Sequence, residues 1–409
     1  MRLPAVLGPL RHRDFRLLLT GQTVSSFGNS ISNVAVPFQL LALGASPLQL
    51  GITVALETVS AVAFLLLGGA IADRWQRRTL ILASDAVAGG VLAIVALLSA
   101  SGTLHIEHLY IAAVALGAAE AFLSPAFNAI IAELVPGEIL RAGNAARLLS
   151  RSAARIAGPT VGGLIVAFVS PAAAFGVDTL TFLFSFGTLL FAHPDKRVAA
   201  VSTSIVADIR EGFGYVFRYR WLWTTTIYFM LVNVAYAGQS GVMTPLLVRD
   251  TLAGDARVFG FVNSAYGVGT IVAGIIVAQL APRRPGRVMF TFELIAAVAV
   301  LAVGLAPTLP VLLVAMATMG IALASSTVIW QSLLQRLVPA HVLGRVTSID
   351  LLGNSVINPV APLIAASLIG PVGPPGTFVI AGIYALVLVS IAVLASPLRD
   401  MEEGAFTAA

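Results

Sequence analysis

Long apolar runs broken by short polar or proline-containing stretches pattern this chain from end to end. A helix needs about 20 mostly apolar residues to cross the hydrocarbon core of a bilayer. On that measure the pattern predicts twelve membrane-spanning helices, at about 17–43, 48–72, 79–100, 109–133, 148–169, 174–192, 221–247, 258–280, 288–305, 310–334, 347–369 and 377–396. The count rests on short breaks at Gly44–Pro47, Ser101–His108, Ser170–Ala173, Ala306–Pro310 and Pro371–Gly376. One segment follows another rhythm. In 194–220, Ile205, Ile209, Phe213 and Val216 share a helical face, with Asp208, Arg210, Glu211 and Arg218 elsewhere. That spacing predicts an amphipathic linker helix lying along the membrane surface.

Basic residues orient the spans. With both termini in the cytoplasm, 22 of the 24 lysines and arginines fall on the inner side, and Arg249 and Arg257 share one outer loop. Lys and Arg concentrate in cytoplasmic loops, so the imbalance supports both the orientation and the count. The chain also repeats. Leu134-Val135-Pro136 followed by Leu140 recurs 203 residues later as Leu337-Val338-Pro339 followed by Leu343, and Pro159 falls on Pro362. The expected plan is an all-α membrane protein: a six-helix bundle over 1–193, the linker 194–220, and a second pseudo-symmetric six-helix bundle over 221–409.

Composition agrees with a lipid solvent. Of the 409 residues 58% are hydrophobic and 11% charged, and mean hydropathy is +0.94. A soluble domain carries about 25% charged residues. Cysteine is absent, which excludes disulfides, Cys-ligated zinc and thiol catalysis, and five scattered histidines show no metal-ligand spacing. No hydrolase elbow, zinc-protease motif or phosphate loop is present, and Lys196 is the only lysine. The formal charge of +5 sets orientation in such a chain, and nucleic acid is not an expected partner. No cofactor or metal is expected.

Four features together resemble the major facilitator superfamily. The turn Gly68-Gly69-Ala70-Ile71-Ala72-Asp73-Arg74-Trp75-Gln76-Arg77-Arg78 reads as Gly-x-x-x-Asp-Arg-x-x-Arg-Arg between spans two and three. Gly158-Pro159-Thr160-Val161-Gly162-Gly163 resembles the core of the family's antiporter motif in span five. The Leu-Val-Pro turns after spans four and ten are the third feature, and Asp208-x-Arg210-Glu211-Gly212 before Trp221-Leu222 is the fourth. The set is most similar to the macrolide-efflux and enterobactin-exporter subgroup. The resemblance implies two bundles rocking about a central cavity, with Gly69, Asp73, Arg74, Arg77 and Arg78 as a conformational latch. It also implies that spans one, four, seven and ten line the cavity.

Polar residues inside spans are functional candidates, because lipid makes them costly. Glu120 in span four, with Ser124 and Asn128 on its face, and Glu57 in span two are the expected proton carriers. Arg147, Arg151 and Arg155 line one face of span five, and at the repeat offset they fall on Asp350, Asn354 and Asn358. Arg151, Asp350, Asn354 and Asn358 are therefore expected to form an inner gate, and Arg155 to assist coupling. Asp85 is expected to pair with an arginine near the inner surface, and Asp178 and Glu293 to be solvated or paired near helix ends. Gln22, Ser26, Asn29 and Asn33 in span one, Asn233, Tyr236 and Ser240 in span seven, and Thr327, Trp330 and Gln331 in span ten are candidate cavity residues. Such faces suit an amphipathic substrate with a few hydrogen bonds and much apolar contact; interhelical glue is the alternative for each residue. The expectation is a monomeric, proton-coupled exporter of amphipathic organic compounds in the bacterial inner membrane. The alternatives are import of a small nutrient, since Ala154 stands where the antiporter motif has glycine, and a non-transporting receptor or scaffold.

Overall fold

The computed structural model describes residues 5–72, 76–136, 139–192, 213–280 and 282–394. Twelve α-helices over these residues carry the spans: α1 Arg13–Ala42, α2 Pro47–Ala72, α3 Arg77–Ala100, α4 Ile106–Leu134, α5 Leu140–Phe168, α6 Pro171–Leu190, α7 Arg220–Tyr236, α8 Ala256–Gln279, α9 Pro285–Leu305, α10 Leu309–Leu337, α11 Ala340–Val356 and α12 Ala361–Leu394. Local chemistry sets their starts. Ser46 and Gln49 form a reciprocal cap at α2, Ser170 accepts from the Ala173 amide ahead of Pro171 at α6, and Asp255 accepts from the Arg257 and Val258 amides at α8. Gly44 and Gly102 turn the chain with φ of 75° and 72°, a conformation that glycine adopts without strain.

Eight helical stretches among the described residues are long and apolar enough to cross a membrane by length and composition alone. The last of these, residues 342–394, holds two crossings, because Gly373 (φ 70°) breaks α12 in its middle. The eleventh crossing is interrupted at residues 357–360, where Pro359 cannot continue the hydrogen-bonding ladder. α1, α5 and α7 are the more polar crossings. α7 runs on through two π-helical turns, Gln239–Met243 and Leu247–Thr251, which flank the amide-less Pro245. The seventh crossing therefore reaches Thr251, beyond the expected 221–247. The amphipathic linker lies outside the described residues as far as 212; residues 213–218 are helical.

The chain divides into two compact units over its described residues. Unit 1 takes in Met1–Val201 with Gly254–Ser264, and unit 2 takes in Ser202–Ala253 with Ala265–Ala409. The first turns of α8 thus group with the N-terminal helices. Unit 1 packs around Phe15, Leu18, Ile81, Ile130 and Ile131. Unit 2 packs around an aromatic core of Trp221, Tyr228, Phe290 and Trp330. In this core the rings of Tyr228 and Phe290 meet edge-on at 5.0 Å and those of Trp221 and Trp330 at 5.9 Å.

Both units use one pairing scheme. In unit 1, α1 packs on α6 and α5, α3 on α6 and α4, and α2 on α4; in unit 2, α7 packs on α12 and α11, and α9 on α12 and α10. The 203-residue offset holds in three dimensions. Gly117 of α4 abuts the Glu57 carbonyl of α2, and its counterpart Gly320 of α10 abuts the Tyr266 carbonyl of α8. Phe175 and Phe378 are likewise matched, and both are fully buried.

Candidate functional site

Unit 1 brings together charges that lie far apart in sequence. Glu57 sits on α2 one turn before Ser60, whose hydroxyl donates to the Val114 carbonyl of α4 at 2.6 Å. That bond and the Gly117 contact clamp α2 onto α4 and place Glu57 within electrostatic reach of Glu120. Glu120 is in turn within reach of Arg151 and Arg147 of α5. Glu57, Glu120, Arg151 and Arg155 are exposed. A charged group partway along a span is costly against acyl chains, which marks this face of unit 1 as a candidate for the interior of the transport path. Arg147 is half-buried, its guanidinium 4.9 Å from the Phe127 ring, a cation–π contact that holds it beside Glu120. The group thus combines two acids and two bases on three helices.

The span-five motif does different work. Gly158 and Gly162 let α5 touch the backbone of α1 near Phe27 and Ile31. Gly163 abuts the Ala256 carbonyl, and Gly260 of α8 abuts the Pro159 carbonyl. Beside this seam Ser264 donates to the Ile156 carbonyl at 2.5 Å and shares a 2.8 Å hydrogen bond with Thr160. Phe38 and Phe259 rings meet at 5.6 Å, and the Arg257 guanidinium lies 5.1 Å from the Phe168 ring. Small residues on both helices are what permit backbone to touch backbone here.

Of the latch residues, Asp73 and Arg74 lie outside the described residues, and so do the surroundings of Gly69. Arg78 donates to the Leu189 and Leu190 carbonyls at 3.0 and 2.8 Å, capping the C-terminal end of α6. Arg77 is half-buried at the start of α3.

The candidate cavity residues divide. In unit 1, Ser26, Asn29 and Ser124 are half-buried and Asn33 is exposed, whereas Gln22 is buried and its amide donates to Ser185 at 2.9 Å and to Asp85 at 3.4 Å. The side chain of Asn128 lies outside the described residues. In unit 2, Ser240, Thr327 and Gln331 are exposed. Asn233 donates to the Asn354 carbonyl at 3.2 Å, and the Tyr236 hydroxyl is buried with no hydrogen-bond partner. Trp330 is a core residue instead of a cavity wall: it is 3% exposed, and its indole N–H donates to Asp350 Oδ2 at 3.0 Å. Asp350 takes a second bond, 3.0 Å, on Oδ1 from Thr226. Both its oxygens are engaged inside unit 2, so it does not offer a free carboxylate to a gate. Asn354 and Asn358 are half-buried.

Three acids stand in unexpected surroundings. Among the described residues Asp85 pairs with Ser185 at 2.7 Å and with Gln22, and with no arginine. Asp178 is fully buried within α6 and accepts from Ser32 at 2.5 Å and Thr181 at 3.0 Å. Glu293 is 2% exposed and accepts from the Tyr228 hydroxyl at 3.2 Å. Each lies eight or nine residues into its helix and is sealed from solvent by packing. The sequence held a signal for the pattern. Asp85 and Glu293 are each the ninth residue of the third helix of their unit.

A profile of the family described as transmembrane secretion effector matches residues 5–408. The chain is 25% identical over 397 residues to the multidrug efflux pump Tap of Mycobacterium tuberculosis, covering 94% of each chain. It is 25% identical over 374 residues to the enterobactin exporter EntS of Escherichia coli O1:K1, covering 88% of this chain and 86% of that one. Among solved structures, a POT family transporter in complex with a thioalcohol-conjugated peptide superposes with a TM-score of 0.74 at 15% identity, over 95% of this chain and 97% of the other. The last similarity establishes the fold.

Proposed function

We propose that this chain, which belongs to the transmembrane secretion effector family of the major facilitator superfamily, exports amphipathic organic compounds such as drugs or siderophore-like metabolites in exchange for protons. It is a multi-pass secondary active transporter of small organic molecules, not an enzyme. The observation that carries proton coupling is the group of Glu57, Glu120, Arg147 and Arg151, within electrostatic reach of one another in unit 1. As an anion, Glu120 is drawn to the two guanidiniums. A proton on Glu120 releases them and removes the negative charge that a cationic substrate would seek, so proton and substrate compete for one site. Glu57, within electrostatic reach of Glu120, relays the proton. Outward direction is supported by the efflux pump and the exporter among its relatives. The distribution of lysine and arginine supports cytoplasmic termini in a bacterial inner membrane. The Asp73 turn is the latch between access states, Arg155 assists coupling, and the protein works as a monomer.

The test is substrate flux in proteoliposomes under an imposed pH gradient, with a fluorescent lipophilic cation as the probe. Wild-type flux should follow the gradient. Glu120→Gln and Glu57→Gln should reduce gradient-driven flux by roughly 5- to 150-fold, the usual range for a coupling free energy. Flux that ignores the gradient, or that survives intact in both variants, would sink the proposal.

A further inference from the structure

Asp85 and Glu293 share more than their place in the helix. Each is sealed from solvent, at 1% and 2% exposure. Each is met by a neutral side chain from the first helix of its own unit, Gln22 of α1 and Tyr228 of α7. Neither is paired with a basic side chain among the described residues. Each also stands beside an unused polar atom. Asp85 Oδ1 has no hydrogen-bond partner, and the buried Tyr236 hydroxyl, near Glu293, has none either.

The surroundings leave little to balance a negative charge. Around Asp85, α6 presents the Ser185 hydroxyl, and its one charged residue, Asp178, is bonded to Ser32 and Thr181. The charges of α1, Arg13, Asp14 and Arg16, lie in its first turn. On α3 itself Arg78 is turned to the Leu189 and Leu190 carbonyls, and Arg77 lies at the helix start. On α4, Glu107 is in the first turn and Glu120 lies near Arg147 and Arg151. Around Glu293, α7 presents Tyr228 and Tyr236, with Arg220 at its start. α10 presents Ser326, close by but outside hydrogen-bond geometry, with Arg336 in its last turn. α12 carries no charged residue, and Arg287 stands in the first turn of α9. An ionised carboxylate sealed among such groups is costly, whereas a carboxylic acid is accommodated there.

We propose that Asp85 and Glu293 are a matched pair of buried proton sites, one in each bundle, that hold neutral carboxylic acids in the packed state and exchange their protons during transport. They are separate from Glu57 and Glu120. The exchange half rests on the proton-coupled reading above; the occupancy half does not. No bond other than O–H is made or broken: the carboxylate oxygen takes a proton from water and returns it to water.

Infrared difference spectroscopy of the purified full chain reads occupancy directly, through the carbonyl stretch of protonated carboxyls and its shift in D2O. At neutral pH the wild type should show such bands, and Asp85→Asn and Glu293→Gln should each delete one. Their absence from the wild type, or their survival in both variants, would overturn the proposal, and the wild-type spectrum tests it even if a variant fails to fold. Exchange is read as protons moved per substrate in proteoliposomes, expected to fall in either variant while Glu120→Gln leaves both infrared bands in place. An unchanged proton count in both variants would overturn exchange. A wild type that moves no protons but keeps the bands would refute the coupling reading and leave occupancy standing.

Discussion

Replacing Asp178 by alanine removes the carboxylate acceptor of the buried Ser32 hydroxyl and one of the two acceptors of Thr181, whose hydroxyl keeps the Asp178 main-chain carbonyl at 2.7 Å. Leaving a buried donor unpaired costs about 1–3 kcal/mol, so Asp178→Ala should melt measurably lower in detergent, and Asp178→Asn, which keeps an acceptor oxygen, should lose less. An unchanged melting temperature for the alanine variant would show that these bonds contribute nothing. Asp255, at the water-exposed start of α8, makes a pH prediction. Its hydrogen bond from Arg257 holds the carboxyl below its ordinary value. A value lower in the folded than in the unfolded state gives stability that is present above the unfolded value, about 4, and is lost as pH falls through the folded one. Protection of the Arg257 and Val258 amides against hydrogen exchange should decline over that acid window, and Asp255→Asn should abolish the decline. At this scale the sequence was legible in one respect: an acid inside an apolar run stands out. Its partners did not. Asp85 meets Gln22 and Ser185 across 63 and 100 residues, and no local spacing encodes which face of three helices will turn toward it.

Glycine contacts decide how neighbouring helices sit. A side chain at Gly117 would strike the Glu57 backbone, and one at Gly320 the Tyr266 backbone, neither of which can rotate away. Gly117→Leu and Gly320→Leu should each destabilise by about 1–3 kcal/mol or more through overpacking. Gly90, with open space around it, should accept alanine with little change in the same thermal unfolding measurement in detergent. Wild-type stability in both leucine variants would show that the helices part easily there. The helices themselves were readable because span length is a property of lipid thickness, and the breaks at Gly44, Gly102 and near Gly373 carry glycine where φ is positive. The π-helical turns around Pro245 were not readable, since they depend on which carbonyl the displaced amides find. Trp330 departs from its expected place for a related reason: polar spacing on α10 marks a face, but the indole N–H is satisfied by Asp350 from within the same bundle.

The whole chain lacks cysteine, so any introduced thiol is a unique label. Single cysteines near residue 2 and near residue 405 should react with an impermeant reagent only after the inner leaflet is opened, while one at Asp250 should react in intact cells. Reaction of the two ends from opposite sides would refute the twelve-crossing plan. The duplicated plan was legible at this scale, because Leu-Val-Pro turns and matched prolines survive in loops and kinks where backbone geometry tolerates few alternatives. The division of α8 was not, since it follows from what Gly260 and Ser264 touch on α5. The Gly117 and Gly320 contacts have a further consequence. Backbone seated on backbone leaves no slack for sliding, so each contact behaves as a rivet, and α2 must travel with α4, and the middle of α8 with α10, through every stage of the cycle. Spin labels placed across either rivet should report one fixed separation with and without substrate, a built-in ruler against which every moving distance in this protein can be calibrated.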